Sequence, residues 1–311
     1  MESRFSAGDG IEFSKIKKNA GLYLLIFPAV VLSLLFAYKP MYGVLIAFKD
    51  YRNALGIMGS PYSEPIFRHF IRFFNSFQFK LTIQNTLTIS FYHLLATVPL
   101  PIIMALILNQ MRGKVFKRVF QTISYMPHFI STVVMVGIIL IMLSPGAGLI
   151  GHLFRLFGRE APNLMGIPGA FSSVYVWSDV WQHTGWDSII YLAALSAVDP
   201  ALYEAAVVDG ANRWQRMWRI DLPMLMPTAC ILLILRAGNI LNVGFEKVYL
   251  MQNNLNQMAS EVISTYVYKI GIISQQYSYS AAINLFNTLV NLVLLLTVNF
   301  ISKKLNETSL L

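Results

Sequence analysis

Six stretches of this chain, roughly 20–38, 83–109, 119–144, 171–197, 224–243 and 280–302, are long and mostly apolar. About 20 such residues carry a helix across the hydrocarbon core of a bilayer. Inside lipid, only helices and closed barrels satisfy their own backbone polar groups. The pattern therefore predicts an all-α membrane protein with six transmembrane helices. Composition agrees, since 56% of the 311 residues are hydrophobic and 13% are charged, against about a quarter charged in a soluble domain. The net charge of +9 raises nucleic acid as a partner. Lys and Arg, however, fall in short clusters between apolar blocks and not along one soluble face, so nucleic acid is excluded. The single cysteine, Cys230, lies in an apolar block and permits neither an internal disulfide nor a cysteine metal site.

The first window follows Lys15, Lys17 and Lys18, as a signal peptide would. Its apolar run is too long for that, and Phe36-Ala37-Tyr38-Lys39-Pro40 offers no small-residue cleavage site. It is read as an uncleaved span. Six spans place both termini on one side, together with 110–118 and 198–223. That group carries Arg112, Lys114, Lys117, Arg118, Arg213, Arg216, Arg219, Lys303 and Lys304. Segments 39–82, 145–170 and 244–279 are sparser in Lys and Arg per residue. Positive charge near span ends marks the cytoplasm, so the termini and the 198–223 loop are predicted there. The reading is a cytoplasmic segment 1–19, a transmembrane domain 20–303 and a cytoplasmic tail 304–311. Phe67–Phe79 mixes Phe and Arg at near-helical spacing and is predicted to lie flat at the outer interface. Pro99, Pro101, Pro127 and Gly185 punctuate the spans, which favours a packed bundle over separate anchors.

The loop from Asp199 to Pro223 reads DPALYEAAVVDGANRWQRMWRIDLP. Asp199 and Pro200 form an N-cap and first-turn pair. Gly210 is placed to terminate that helix, a second short helix runs from Gln215 to Ile220, and Pro223 opens the fifth span. This is a bent two-helix elbow under the membrane. Ala205 and Ala206 allow close approach to another protein, and Glu204 offers it a charge. An ordinary amphipathic loop would read similarly.

Polar side chains inside spans usually face the bundle or a cavity. Asn284, Asn287 and Asn291 share one face of the sixth span; Arg236, Asn239 and Asn242 are spaced by three on the fifth. On the fourth, Asp179, His183 and Asp187 alternate with Trp177, Trp181 and Trp186. Sugars present hydroxyls and apolar C–H faces, so this set suits a saccharide path. The alternative is that the asparagines join helices and the tryptophans form an interfacial belt. A mid-span charge costs roughly 2.5–3.5 kcal/mol on insertion scales, so Arg236 calls for an acidic partner or an anionic ligand. If it faces the path, a uronate oligosaccharide is a candidate cargo.

No G-x-x-x-x-G-K-[ST], H-E-x-x-H or G-x-S-x-G occurs, so the chain has no phosphate-cradling or hydrolytic motif of these kinds. His69, His93, His128, His152 and His183 are scattered in sequence, and no metal site is read. An ion-driven carrier would need no elbow and would favour paired discontinuous spans. An intramembrane hydrolase would need a nucleophile facing a base.

Glu204-Ala205-Ala206, three residues, Gly210, nine residues, Ile220, one residue, Leu222-Pro223 resembles the signature of type I ATP-binding-cassette importer permeases (MetI-like) at every spacing. YKPMYGVLIAFKDY (38–51), YMPHFIS (125–131), GWDSIIYLAAL (185–195) and GFEK (244–247) look like carbohydrate permeases of the lipoprotein/aldouronate type. Asn284 departs, where glycine is expected. The resemblance implies a bacterial inner-membrane subunit paired in a heterodimer with a second permease, a paralogue. It also implies two ATPase subunits holding ATP and Mg, and an extracytoplasmic solute-binding protein. Glu204, Ala205, Ala206, Asp209, Gly210, Ile220, Leu222 and Pro223 would then couple to the ATPases, and no cofactor belongs to the chain itself.

Overall fold

The computed structural model describes residues 19–111 and 113–306. Lys15, Lys17, Lys18 and Arg112, which enter the orientation argument, and residues 307–311 of the tail lie outside the described residues. Among the described residues the secondary structure is helical, with one isolated antiparallel bridge between Lys49 and Tyr62. Four helices are long and apolar enough to cross a membrane, and six if each of two bent pairs counts as one span.

Helix α1, Ala20–Phe48, runs well past the expected window 20–38. Pro40 does not stop it, because Leu34–Tyr38 forms a π turn in which Lys39 N–H reaches back to Leu34 O. That shift of the ladder takes up the hydrogen bond a proline removes. No residue of Ala20–Met41 is buried among the described residues, so this stretch of α1 leaves its apolar surface to lipid or another subunit, whereas Ala47 near its end is buried.

The predicted surface segment Phe67–Phe79 is two elements. Helix α2, Arg68–Phe74, ends at Asn75, and Ser76 caps the next helix by accepting from Phe79 N–H at 3.2 Å. Phe73 is buried against Phe79 (5.1 Å between centroids) and Phe286 (5.9 Å), so packing rather than the interface holds it. Helix α3, Phe77–Gln110, passes Pro99 and Pro101 without a break. The expected third span 119–144 is broken: α4, Lys114–Phe129, meets α5, Thr132–Met142, at 103°. Pro127 sits in the tight turn Met126–Phe129, and Ser131 recaps the chain by accepting from Val134 N–H. Helix α6, Leu149–Leu156, follows.

Helix α7, Pro168–Ser196, is the central post, and α8, Pro200–Val208, turns from it by 74°. Gly185 lets α4 approach closely, since a Cβ there would collide with the Ser124 carbonyl. Helix α9, Arg213–Ala237, corrects the predicted 224–243 at both ends. The expected short helix Gln215–Ile220 is its first turns. Asn212 and Gln215 cap it reciprocally at 2.9 and 2.7 Å, and Pro223 is accommodated by a π turn in which Leu222 N–H reaches Met217 O. The same device carries α1 past Pro40.

Beyond Ala237 the chain is unwound to Gly244, so Asn239 and Asn242 lie on irregular backbone. Helices α10, Phe245–Met251, α11, Ile263–Ile273, and α12, Tyr277–Asn306, complete the bundle. One core joins Ile89, Val136, Phe171, Tyr175, Val176, Val243 and Val248. A second joins Ala105, Leu106, Tyr191, Leu195, Leu225 and Ala229 at the other end of α7.

Candidate functional site

A cavity of about 440 Å³ opens between α3, α7, α9 and the unwound 238–244 segment. Non-helical backbone at membrane depth is tolerated where it lines a cavity or is buried in protein, and both hold here. Leu241 N–H donates to Asn291 Oδ1 at 3.1 Å, and Asn287 Nδ2 donates to Asn242 Oδ1 at 3.0 Å. Asn291 thus satisfies a backbone N–H of the unwound chain, and Asn287 holds its Asn242 side chain.

Two carboxylates of α7 face the cavity eight residues apart, a separation of about 12 Å along a helix axis. Asp179 receives His93 Nε2 at 2.8 Å, Lys247 Nζ at 3.1 Å and His183 Nδ1 at 3.3 Å. Lys247 also lies 5.3 Å over the Tyr175 ring, whose hydroxyl accepts from Gly244 N–H at 3.2 Å. Asp187 holds Arg236 at 2.6 Å, and Arg236 donates further to the Thr97 carbonyl at 3.2 Å. The acid that Arg236 requires in a span is therefore Asp187. Each basic group of the cavity wall sits on a carboxylate, so an incoming anion would compete for a cation already positioned.

The structure brings Asp179, His183, Arg236, Asn239 and Asn242 to this cavity and leaves the remaining path candidates elsewhere. Trp181 is half exposed in an apolar groove shared with α5 and Trp177, and Trp177 Nε1 donates to the Tyr92 hydroxyl at 2.7 Å. Trp186 stacks on His128 with 4.5 Å between centroids. Asn284 is exposed. Asn287 and Asn291 are buried against the unwound segment, as in the helix-joining alternative.

The elbow is built from local signals. Asp199 Oδ1 accepts from Ala201 N–H at 2.9 Å. Gly210 adopts φ +76°, Ala211 N–H reaches Ala206 O at 2.8 Å, and Gly210 N–H reaches Val207 O at 3.0 Å. These two bonds form a Schellman motif closed by a left-handed residue that glycine supplies without strain. Glu204, Ala205, Asp209 and Gly210 are exposed, and Val208 is 86% exposed. The elbow thus carries an apolar and acidic face that nothing among the described residues covers. Ile220 and Leu222 are half-buried, Leu222 against the second core, and Pro223 is exposed.

Sequence reasoning missed the tie beneath the elbow. Asp221 is fully buried and accepts from the Tyr203 hydroxyl at 2.6 Å and from Gln110 Nε2 at 2.8 Å. One carboxylate thereby joins α8, the base of α9 and the end of α3. Burial, then the bond to Asp221, pushes the Tyr203 hydroxyl up to about 12. His93, Lys247 and Thr97 were likewise unassigned. The available signals were a carboxylate inside the Ile220–Pro223 motif and a histidine alone in an apolar run. Asp221→Ala strips both bonds, each worth about 1.5–3 kcal/mol when one partner is charged. The expected outcome is an elbow that loosens from α3 and α9 at unchanged membrane abundance; limited proteolysis between α8 and α9, faster in the variant, checks it.

Residues 97–307 match the family described as binding-protein-dependent transport system inner membrane component. The chain is similar to Protein LplB of Bacillus subtilis (strain 168), 42% identical over 306 residues that cover 98% of this chain and 96% of that protein. It is also similar to the polygalacturonan/rhamnogalacturonan transport system permease protein YteP of the same organism, 41% identical over 98% of each chain. Among solved structures, it resembles a chain of a bacterial ABC transporter involved in the import of the acidic polysaccharide alginate. Identity there is 38% and the TM-score 0.87, over 94% of this chain and 99% of that one. A bacterial alginate ABC transporter in complex with an alginate pentasaccharide-bound periplasmic protein gives 38% and 0.89, over 97% and 100%.

Proposed function

The chain belongs to the family of inner membrane components of binding-protein-dependent transport systems, and from that premise we propose that it forms half of the path through which an ATP-driven importer carries an acidic oligosaccharide. In this reading a single six-span domain over 20–303 has both termini and the elbow in the cytoplasm. A second, related permease completes the path, and two ATPase subunits carry ATP and Mg beneath it. A solute-binding protein delivers the sugar outside.

The observation that carries the reading is the joining of cavity and elbow through one rigid element. Helix α9 begins under the elbow, where Asp221 is anchored to Tyr203, and ends at Arg236 on the cavity wall. Closure of the ATPases on ATP moves the exposed face of α8. The Asp221 tie passes that motion to α9 and α3 as a rigid-body rotation, and the cavity changes the side to which it opens. The chain's own residues bind and orient the sugar; the chemistry of hydrolysis belongs to the partners.

The acidic cargo is supported by the cavity's charges. Arg236 lines the cavity and rests on a carboxylate, and a uronate carboxylate offers it the same bidentate partner. YteP is a polygalacturonan/rhamnogalacturonan transport system permease protein, and the similar solved structure is of a transporter involved in the import of alginate. A proton-driven carrier is the competing reading, favoured only by the His93–Asp179–His183 cluster.

The test is reconstitution of the complete complex in proteoliposomes. Sugar-loaded binding protein on the outer side is expected to raise ATP hydrolysis and drive uptake. Uptake that follows an imposed proton gradient and ignores ATP would overturn the reading.

A further inference from the structure

A second pocket, of about 250 Å³, lies at the other end of the last helix from the cytoplasmic tail, between residues 50–52, α2 and the first turn of α12. Its walls are aromatic and basic. Tyr51 and Tyr277 meet edge to face at 5.8 Å, and the Tyr51 backbone N–H donates to Ser278 Oγ at 2.9 Å, fixing the two segments together. Arg72 places its guanidinium 4.2 Å over the Tyr279 ring, and Arg52 lines the same space. The pocket's one carboxylate, Asp50, is already engaged by Ser63 Oγ at 3.1 Å, His69 Nε2 at 3.2 Å and Arg68 at 3.3 Å.

The contrast with the central cavity is in the cations. Arg236 of the cavity wall sits on a carboxylate, whereas among the described residues no carboxylate lies within ion-pair distance of Arg52 or Arg72. A guanidinium stacked on an aromatic face keeps its in-plane donors free and has already lost rotamer freedom, so binding an anion orders it little further. Tyrosine rings beside it offer flat apolar faces and hydroxyl groups, which suits a sugar's C–H face and rim. The volume is sufficient for one sugar ring.

We propose that this pocket is a saccharide site at the outer mouth that takes one uronate ring, its carboxylate on Arg72 and Arg52 and its apolar face on the tyrosines. The site rests on the acidic-cargo reading and adds to it. It receives the sugar's leading ring as the binding protein releases it, before the central cavity engages. A docking patch for an acidic protein surface would use the same charges, but the two arginines line a concavity walled by tyrosines, which favours a small ring.

The complete complex in nanodiscs, without binding protein, is titrated calorimetrically with trigalacturonate, trimannuronate and the neutral maltotriose. At least one uronate is expected to bind and maltotriose is not. The Arg52→Gln/Arg72→Gln double variant is expected to weaken uronate binding by about tenfold or more, while sugar-free binding protein docks as to the unmodified complex. Should the double variant fail to assemble, the exposed Arg52→Gln alone is used, with a loss of about threefold or more expected. Unchanged uronate binding in the variant overturns the site, as does an equal loss of docking by the sugar-free binding protein. If the unmodified complex imports a uronate with ATP while the pocket variant binds it normally, the outer site alone fails. If it neither binds nor imports either uronate, the acidic-cargo reading fails with it.

Discussion

Gly210→Pro is expected to abolish sugar uptake while the chain inserts in the membrane at normal abundance. The native residue has φ +76°, and proline holds φ near −65° and has no N–H to donate. The substitution removes the Gly210 N–H to Val207 O bond and the turn that directs Ala211 N–H to Ala206 O. A Cβ at this position meets nothing within 4 Å, so the effect is conformational and not a clash. Gly210→Ala should be milder, costing about 1–2 kcal/mol for the left-handed backbone. The turn lies outside the bundle cores, so packing of α7 and α9 is left intact. Glu204→Lys reverses the charge of the same exposed face and is expected to have the same phenotype. Uptake assays normalised to membrane abundance check both, and normal uptake in either variant contradicts a coupling role.

Arg236→Ala has the second large effect, on selectivity. It leaves Asp187 facing the cavity without its cation and the Thr97 carbonyl without its donor. Breaking a fully buried pair costs about 3–5 kcal/mol. This pair is roughly a quarter to a third exposed, so solvent screening reduces that figure. Transport of a uronate oligosaccharide is expected to fall by about tenfold or more, and that of a neutral one of equal length much less. Adding Asp187→Asn removes the orphaned charge and should restore abundance without restoring uronate preference. Equal losses for both sugars would count against contact between Arg236 and the cargo.

The elbow was legible in sequence because its signals are local. Asp199-Pro200 starts a helix and Gly210 stops it whatever surrounds them, and the structure places a cap and a Schellman motif at those residues. The break at Pro127 and the continuity through Pro99 and Pro101 were not distinguishable, because each depends on whether neighbouring groups re-satisfy the backbone. The end of the fifth span was misplaced for a related reason. Ile240, Leu241 and Val243 prolong the apolar run, so hydropathy sees no end, whereas the helix stops at Ala237 and Asn287 and Asn291 hold the unwound chain. The three asparagines of α12 do share spacing, but Asn291 accepts from the Leu241 backbone N–H, Asn287 donates to the Asn242 side chain, and Asn284 is exposed. Desolvation cost announced that Arg236 needs an acid; only the packing of α7 against α9 supplies its identity. The Asp221 tie depends wholly on tertiary contact between α3, α8 and α9, and no periodicity reports it.

The position of the elbow is open to a single measurement. Val208→Cys, at one of the most exposed elbow residues, is made with Cys230→Ser and treated with a membrane-impermeant maleimide on right-side-out and inverted vesicles. Labelling is expected only in inverted vesicles, and the ATPase subunits, when bound, are expected to block it. Labelling from the outside, or labelling in inverted vesicles that the ATPases leave unchanged, would contradict a cytoplasmic joint driven by a nucleotide-hydrolysing partner.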